Sequence, residues 1–276
     1  MNEDTVKKYI NGLHDLSTLP VLLGKIVATC NDPKATPLDV YNLITFDPAL
    51  AERVMRIANS VFYGRSGQVK NIYQAIMFLG FDRIKSLALG MSVLNAFPLR
   101  GSLVAANLWV HSYEVAYLSS IISKFIPLTV SGECFLAGLL HDIGRIVFLG
   151  MDHARFMHIE TTDNMFDQEI AAFGCTHTVA GALLVESLGM PKELIAPIKY
   201  HHRPSFTATS RNLVATVALS EALTWTFKAR PEDDGVWTTE IDAILEEFSL
   251  SEKEINAAGQ HLDAARPEIE SIFRSS

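Results

Sequence analysis

The ionisable residues that could act together in this sequence are His111, His141, Asp142, His177, His201, His202 and Glu221. Each falls where a helical period places apolar residues. His111 continues a stripe of Val104, Leu108, Val115, Leu118 and Ile122, stepped by alternating fours and threes. Asp142 sits the same way among Phe135, Leu139, Ile146 and Leu149, with His141 beside it. His177 heads a face continued by Ala180, Leu184 and Leu188, His201 and His202 follow Leu194, Ile195 and Ile198, and Glu221 follows Val214 and Val217. A lone histidine on an apolar face is usually a satisfied core residue. A carboxylate removed from water is costly unless it is paired or bound to metal. Several helices turning such groups inward imply that the faces meet and that a divalent cation compensates the shared burial.

The donor types narrow that cation. Imidazoles with one or two carboxylates suit a divalent transition metal (iron, manganese, zinc or nickel) better than magnesium or calcium. One or two ions are expected, because an aspartate can bridge a pair. Cys30, Cys134 and Cys175 lack zinc-ligand spacing and sit among apolar residues. They read as reduced, buried thiols, which points to a cytoplasmic compartment.

The elements that must position these groups read as helices. Thr36-Pro37 with Asp39, and then Asp47-Pro48, are N-cap and first-turn proline signals. The helix after Asp47 carries Leu50, Val54, Ile57 and Val61 on one face and ends near Asn59-Ser60. The segment NIYQAIMFLG stops at Gly80, and a helix from Phe81 runs to Pro98. Ser102 caps a long helix over about 103–125. One helix over ECFLAGLLHDIGRIVFLG carries the His-Asp doublet. After a polar stretch at Thr161, Thr162, Asp163 and Asn164 come helices over MFDQEIAAFG, THTVAGALLVESLG, KELIAPIKYHH and NLVATVALSEALTWTF. A polar linker, KARPEDDG, precedes two short amphipathic helices in the tail, one with the stripe Ile241, Ile244, Leu245 and Phe248. No β-hairpin pattern occurs. The expected fold is therefore all-α, divided at 1–98, 99–228 and 229–276.

Bulk properties bound the function. The 276 residues are 49% hydrophobic and 20% charged, as in an ordinary globular protein. A net charge of -8 and a pI near 5.6 argue against nucleic acid as the partner. No apolar run reaches the roughly 20 residues of a membrane span, and MNEDTVKKYI has no signal-peptide core. The expectation is no nucleic acid, no membrane and a cytoplasmic protein.

At these residues the sequence resembles the HD superfamily of metal-dependent phosphohydrolases, with His111 matching the first histidine and His141-Asp142 the doublet, in the frame GLLHDIGR. It is similar to the HD-GYP branch in His177 and in the doublet His201-His202, which implies a site with two or more metals, although the GYP stretch is absent. The closer resemblance is to the HDOD family, HD-related output domains of bacterial signalling proteins. It rests on LPVLLGKIVATCNDP, DPALAERVMRIANSVFYG, IYQAIMFLGFDRIKSLALG, LWVHSYEVA, FLAGLLHDIGRIVFL and GMPKELIAPIKYHHRP, over about residues 17 to 205. The resemblance implies a multi-helical HD-like core with an additional N-terminal helical subdomain, and a regulatory role exerted through protein contacts. Glu221 stands where the HD pattern has its distal aspartate, and Asn107 stands where a third metal would need a glutamate. The first departure puts catalysis in doubt more than metal binding, and the second argues against a third metal.

Two functions follow as expectations. One is a signalling module with a metal in its HD core and a protein partner, for which Asn59 to Lys70 is a candidate contact loop. The alternative is a metal-dependent phosphohydrolase acting on a phosphomonoester or phosphodiester, including nucleotides or cyclic dinucleotides. In it Asp142 is catalytic, and Arg145 and Lys199 steady a phosphate oxygen. A phosphate-containing ligand held without cleavage would use the same residues. Trp225 and Trp237, flanking the polar linker, read as packing residues.

Overall fold

The structure, a computed structural model, describes residues 1–15, 21–59, 69–97, 102–159, 164–227 and 239–274. Among these every regular element is helical. The first six helices are α1 (Glu3–Asp15), α2 (Val21–Asn31), α3 (Pro37–Phe46), α4 (Pro48–Ala58), α5 (Ile72–Leu79) and α6 (Phe81–Ala96). Their boundaries follow from local chemistry. Thr36 closes a capping box with Asp39 at the start of α3, and Asp47 accepts from the N–H groups of Ala49 and Leu50 at the start of α4. Asn71 caps α5, and Gly80, at φ 87°, makes the turn into α6 in a conformation that side chains disfavour.

Helices α2 to α6 pack on one another as an N-terminal layer, with Leu50, Val54, Ile57, Ile84 and Leu89 fully buried among them. Helix α1 does not join that layer. It packs against the later helices α11 (Met165–Phe173) and α12 (His177–Ser187), so the 1–98 segment contributes to both parts of the molecule.

The second part is built round α7 (Leu103–Ile122), buried on all sides from Leu108 onward. It is flanked by α8 (Ser131–Leu140), α9 (Ile143–Met151), α14 (Arg211–Phe227) and α16 (Glu252–Arg274). Helices α10 (His153–Ile159), α13 (Ile195–Tyr200) and α15 (Thr239–Glu247) complete it, and α8 also packs on α6 of the N-terminal layer. Two glycine contacts set the helix spacing. A Cβ on Gly138 of α8 would lie 2.8 Å from Ala116 Cα of α7. At the crossing of α9 and α12, a Cβ on Gly144 would lie 2.8 Å from Gly181 N and would collide with the carbonyl oxygen of His177.

Two expectations need correction. The doublet does not lie within one continuous helix: α8 ends at Leu140, and Asp142 (φ -100°, ψ 15°) separates it from α9. The second tail helix is not short. Helix α16 runs 23 residues through Pro267, because Ala258, Leu262, Ala265, Ile269 and Ile272 form an unbroken buried stripe. That helix packs along α7. The stretch 131–151 has the length and apolarity of a membrane span, yet 83% of its most apolar window is buried inside the protein. All three cysteines are free, with Cys134 and Cys175 buried and Cys30 partly so. The contact loop expected at 59–70 falls mostly outside the described residues, as do the boundary at 98–101, the polar stretch at 160–163, the linker, Trp237 and the side chain of Trp225.

Candidate metal centre

The break between α8 and α9 puts His141 and Asp142 at the middle of the second part. His141 is fully buried and Asp142 is 5% exposed. Helix α7 brings His111, α14 brings Glu221, the first residue of α12 is His177, and the turn after α13 supplies His201 and His202. All seven predicted ligands thus converge.

They fall into two groups, one on either side of the Asp142 carboxylate. In the first, Asp142, His177, His201 and His202 place one donor atom each within 4.8 Å of one another; in the second, His111, His141 and Glu221 do the same. Asp142 Oδ1 faces the first group, 3.1 Å from His177 Nε2 and 3.7 Å from His201 Nε2. Its Oδ2 faces the second, 3.7 Å from His141 Nε2 and 4.0 Å from His111 Nε2. Glu221 Oε2 lies 2.6 Å from His141 Nε2 and 3.2 Å from His111 Nε2.

Hydrogen bonds behind the rings fix which nitrogen faces inward. His141 Nδ1 lies 2.7 Å from the Gly138 carbonyl oxygen, and His201 Nδ1 lies 3.1 and 3.0 Å from those of Pro197 and Ile198. A carbonyl only accepts, so in both rings Nδ1 carries the proton. In the neutral imidazole Nε2 then presents its lone pair inward. The inward Nε2 atoms of His141, His177 and His201, and Asp142 Oδ1, are buried and make no hydrogen bond of acceptable geometry. Lone pairs of imidazole and carboxylate facing one another repel unless a proton or a cation lies between them. This donor set, two carboxylates with five imidazoles, could hold a metal ion.

The titration behaviour agrees. Burial pulls the His141 imidazole down, but Asp142 and Glu221 outweigh it and its pKa is raised. Burial opposes charge on His177 as well, yet Glu169 and Asp142 lift it to about 9. Burial would raise Asp142, but His141, Arg145 and His177 hold it well below the carboxylate range. Glu221 is likewise held low against burial by His111 and His141. His201 and His202 are pushed down, chiefly by burial, with neighbouring imidazoles adding to it.

The remaining expected residues divide. Arg145 reaches the centre, its Nη1 lying 3.6 Å from Asp142 Oδ2 and its Nη2 against Met165 Sδ. Lys199 does not. The helix turn that buries Ala196 and Ile198 faces it outward, and its ammonium lies 5.6 Å from the centroid of the Tyr200 ring. Asn107 is exposed on α7. One residue of the centre was missed. Glu169 on α11, 1% exposed, accepts from the His177 backbone N–H at 2.8 Å and from its Nδ1 at 2.9 and 3.0 Å. It lies between Phe166 and Phe173 at helical spacing, so the stripe argument that singled out Asp142 also applies to it.

The family profile of the HDOD domain matches residues 16–204. A curated protein of Treponema pallidum with no assigned function is 23% identical over 217 residues, 75% of this chain and 42% of its own length. Ribonuclease Y of Thermus thermophilus is 30% identical over 125 residues, 45% of this chain. This chain thus spans under half of the Treponema protein and 17% of the ribonuclease. Among solved structures, an HDOD domain protein of unknown function from Geobacter sulfurreducens superposes with a TM-score of 0.73 at 21% identity, over 98% of this chain and 97% of its own. A candidate phosphohydrolase of Shewanella amazonensis superposes at 0.75 and 21% identity, over 96% of this chain and 97% of its own. A candidate signal transduction protein of Marinobacter aquaeolei superposes at 0.72 and 24% identity, over 93% of this chain and 59% of its own. At these identities the likeness shows a shared fold.

Proposed function

The chain belongs to the HDOD domain family, and on that footing we propose that it is a bacterial, cytoplasmic signal-transduction module acting mainly through contacts with a signalling protein. In this reading its HD core holds one or two divalent transition metal ions. The observation that carries the metal is the set of inward, buried Nε2 atoms on His141, His177 and His201 facing Asp142 and Glu221. These residues, with His111 and His202, would hold the ion. A metal there would supply a fixed positive charge that locks five helices together, stabilising the folded state by its binding free energy. The signal-transduction description of the Marinobacter protein supports the regulatory role, and buried free cysteines support the cytoplasm.

Burial of the ligands supports the regulatory reading over turnover. His141 and His177 are fully buried, and Asp142, Glu221 and His201 are 5% exposed or less. The ring of Phe166 stacks on His177 and meets the edge of His202. One observation favours the phosphohydrolase reading: Arg145, partly buried beside Asp142, is a guanidinium suited to a phosphate oxygen. Hydrolysis of bis-p-nitrophenyl phosphate by the manganese- or zinc-loaded protein decides between them. The regulatory reading expects no rate above that of the His141→Ala/Asp142→Ala variant. Turnover lost in that variant would overturn it.

A further inference from the structure

Three side chains of α11 touch the centre, and none of them belongs to the HD set. Met165 receives Arg145, Phe166 stacks on His177 with ring centroids 5.7 Å apart, and Glu169 bonds His177 twice. The Glu169 contact is the most constrained. Its carboxylate is buried, and it accepts both the first N–H of α12 and the Nδ1–H of the ring that the same residue carries. Backbone and side chain of His177 are therefore fixed by one group, as Gly138 and the α13 carbonyls fix His141 and His201 only through their rings.

We propose that Glu169 is the positioning residue for the first half of the centre: it sets the Nδ1–H tautomer of His177, aims Nε2 at Asp142 Oδ1, and ties metal occupancy to the order of α11. This rests on the metal reading above. The physical case is geometric. An anionic acceptor behind an imidazole holds the ring in one tautomer and raises the basicity of the opposite nitrogen toward a metal. No other described group lies within hydrogen-bonding distance of His177 Nδ1. A metal on Nε2 polarises the ring and strengthens the Nδ1–H bond to Glu169, so loading the centre tightens α11 on α12.

The test uses the full chain and the isosteric Glu169→Gln. Glutamine offers one acceptor where glutamate offers two, and its amide N–H groups oppose the required tautomer. Zinc and manganese are each titrated against a chromophoric chelator. Affinity of the variant is expected to fall by about 10- to 100-fold. Hydrogen exchange of 165–173 is expected to slow on zinc addition in the wild type and to stay unchanged in the variant. Long-range nitrogen–proton NMR of the zinc-loaded wild type, which does not depend on the variant folding, is expected to show His177 protonated at Nδ1. Equal affinity in wild type and variant, or His177 protonated at Nε2, overturns the assignment while leaving the metal centre standing. A wild type that binds neither ion overturns both.

Discussion

Gly144→Ala separates packing from helix propensity at the centre. By propensity alone, alanine inside α9 should stabilise the helix by about 1 kcal/mol. The structure predicts the opposite sign. The added Cβ would lie 2.7 Å from the His177 carbonyl carbon and 2.8 Å from Gly181 N, both rigid backbone atoms. Ordinary contact begins near 3.4 Å, so α9 and α12 must part by at least about 0.7 Å. Overpacking of this kind typically costs about 1–3 kcal/mol, more where backbone must move. Because backbone atoms form the clash, the cost falls at the top of that range, about 3 kcal/mol, and the net loss after the propensity gain is about 2 kcal/mol, a fall in Tm of about 4–8 °C for a chain of this size. The shift acts on His177 itself, moving Nε2 away from Asp142 Oδ1, so metal affinity falls together with Tm. The control is Gly24→Ala on α2, where a Cβ meets nothing within 4 Å and Tm should rise. Thermal unfolding by circular dichroism, with and without zinc, reads both. A Gly144→Ala protein as stable as the wild type, with unchanged zinc affinity, would refute the close crossing of α9 and α12.

Other outcomes follow from the same geometry. The raised His177 stabilises the metal-free fold below its ordinary value of 6.5, an effect lost as pH rises through about 9. The depressed Asp142 and Glu221 stabilise it above the carboxylate range, an effect lost on acidification. The lowered His201 and His202 withdraw stability as pH falls below the ordinary value of 6.5, so metal-free Tm should peak near that value, and a profile still climbing at pH 9 would contradict it. Metal must displace the imidazole protons, so at pH 7 calorimetry in buffers of different ionisation enthalpy should show proton release, and buffer-independent heats would count against the protonated cluster. Helix α16 is tied to α7 by Arg266 Nε, 3.2 Å from the buried Glu114 Oε1. Arg266→Ala, by removing a charge-assisted hydrogen bond to a buried carboxylate, should lower stability in urea by about 1.5–3 kcal/mol; an unchanged midpoint would show that the pair does not hold α16 on α7. Lys199→Ala should leave metal affinity at the wild-type value, and a tenfold loss would place the lysine at the centre after all.

Most of the centre was legible because burial and charge conflict in a way that periodicity exposes. His111, Asp142 and Glu221 each interrupt an apolar stripe, and such stripes fix which face of a helix turns inward. The caps at Thr36 and Asp47 were legible for the same local reason. Periodicity does not report where a helix breaks. Leu139 and Ile146 flank the doublet at proper spacing, yet Asp142 leaves helical geometry while its carboxylate engages His177 and Arg145 from other elements. It also does not report who stands behind a ligand. Glu169 satisfied the stripe argument, but its role follows from α11 meeting the start of α12, a tertiary fact. Lys199 was drawn in by proximity in sequence to His201 and His202, whereas helical phase turns it outward. Helix α16 continues through Pro267 because its packed stripe is continuous, and its contact with α7 is a tertiary fact.

The most direct test of the central claim is elemental analysis of the purified protein, produced with ample iron, manganese and zinc, beside the His141→Ala/Asp142→Ala variant. One or two equivalents of transition metal are expected in the wild type, with loss of that metal in the variant. A folded wild-type protein carrying no transition metal, or a variant that retains the full complement, would contradict it.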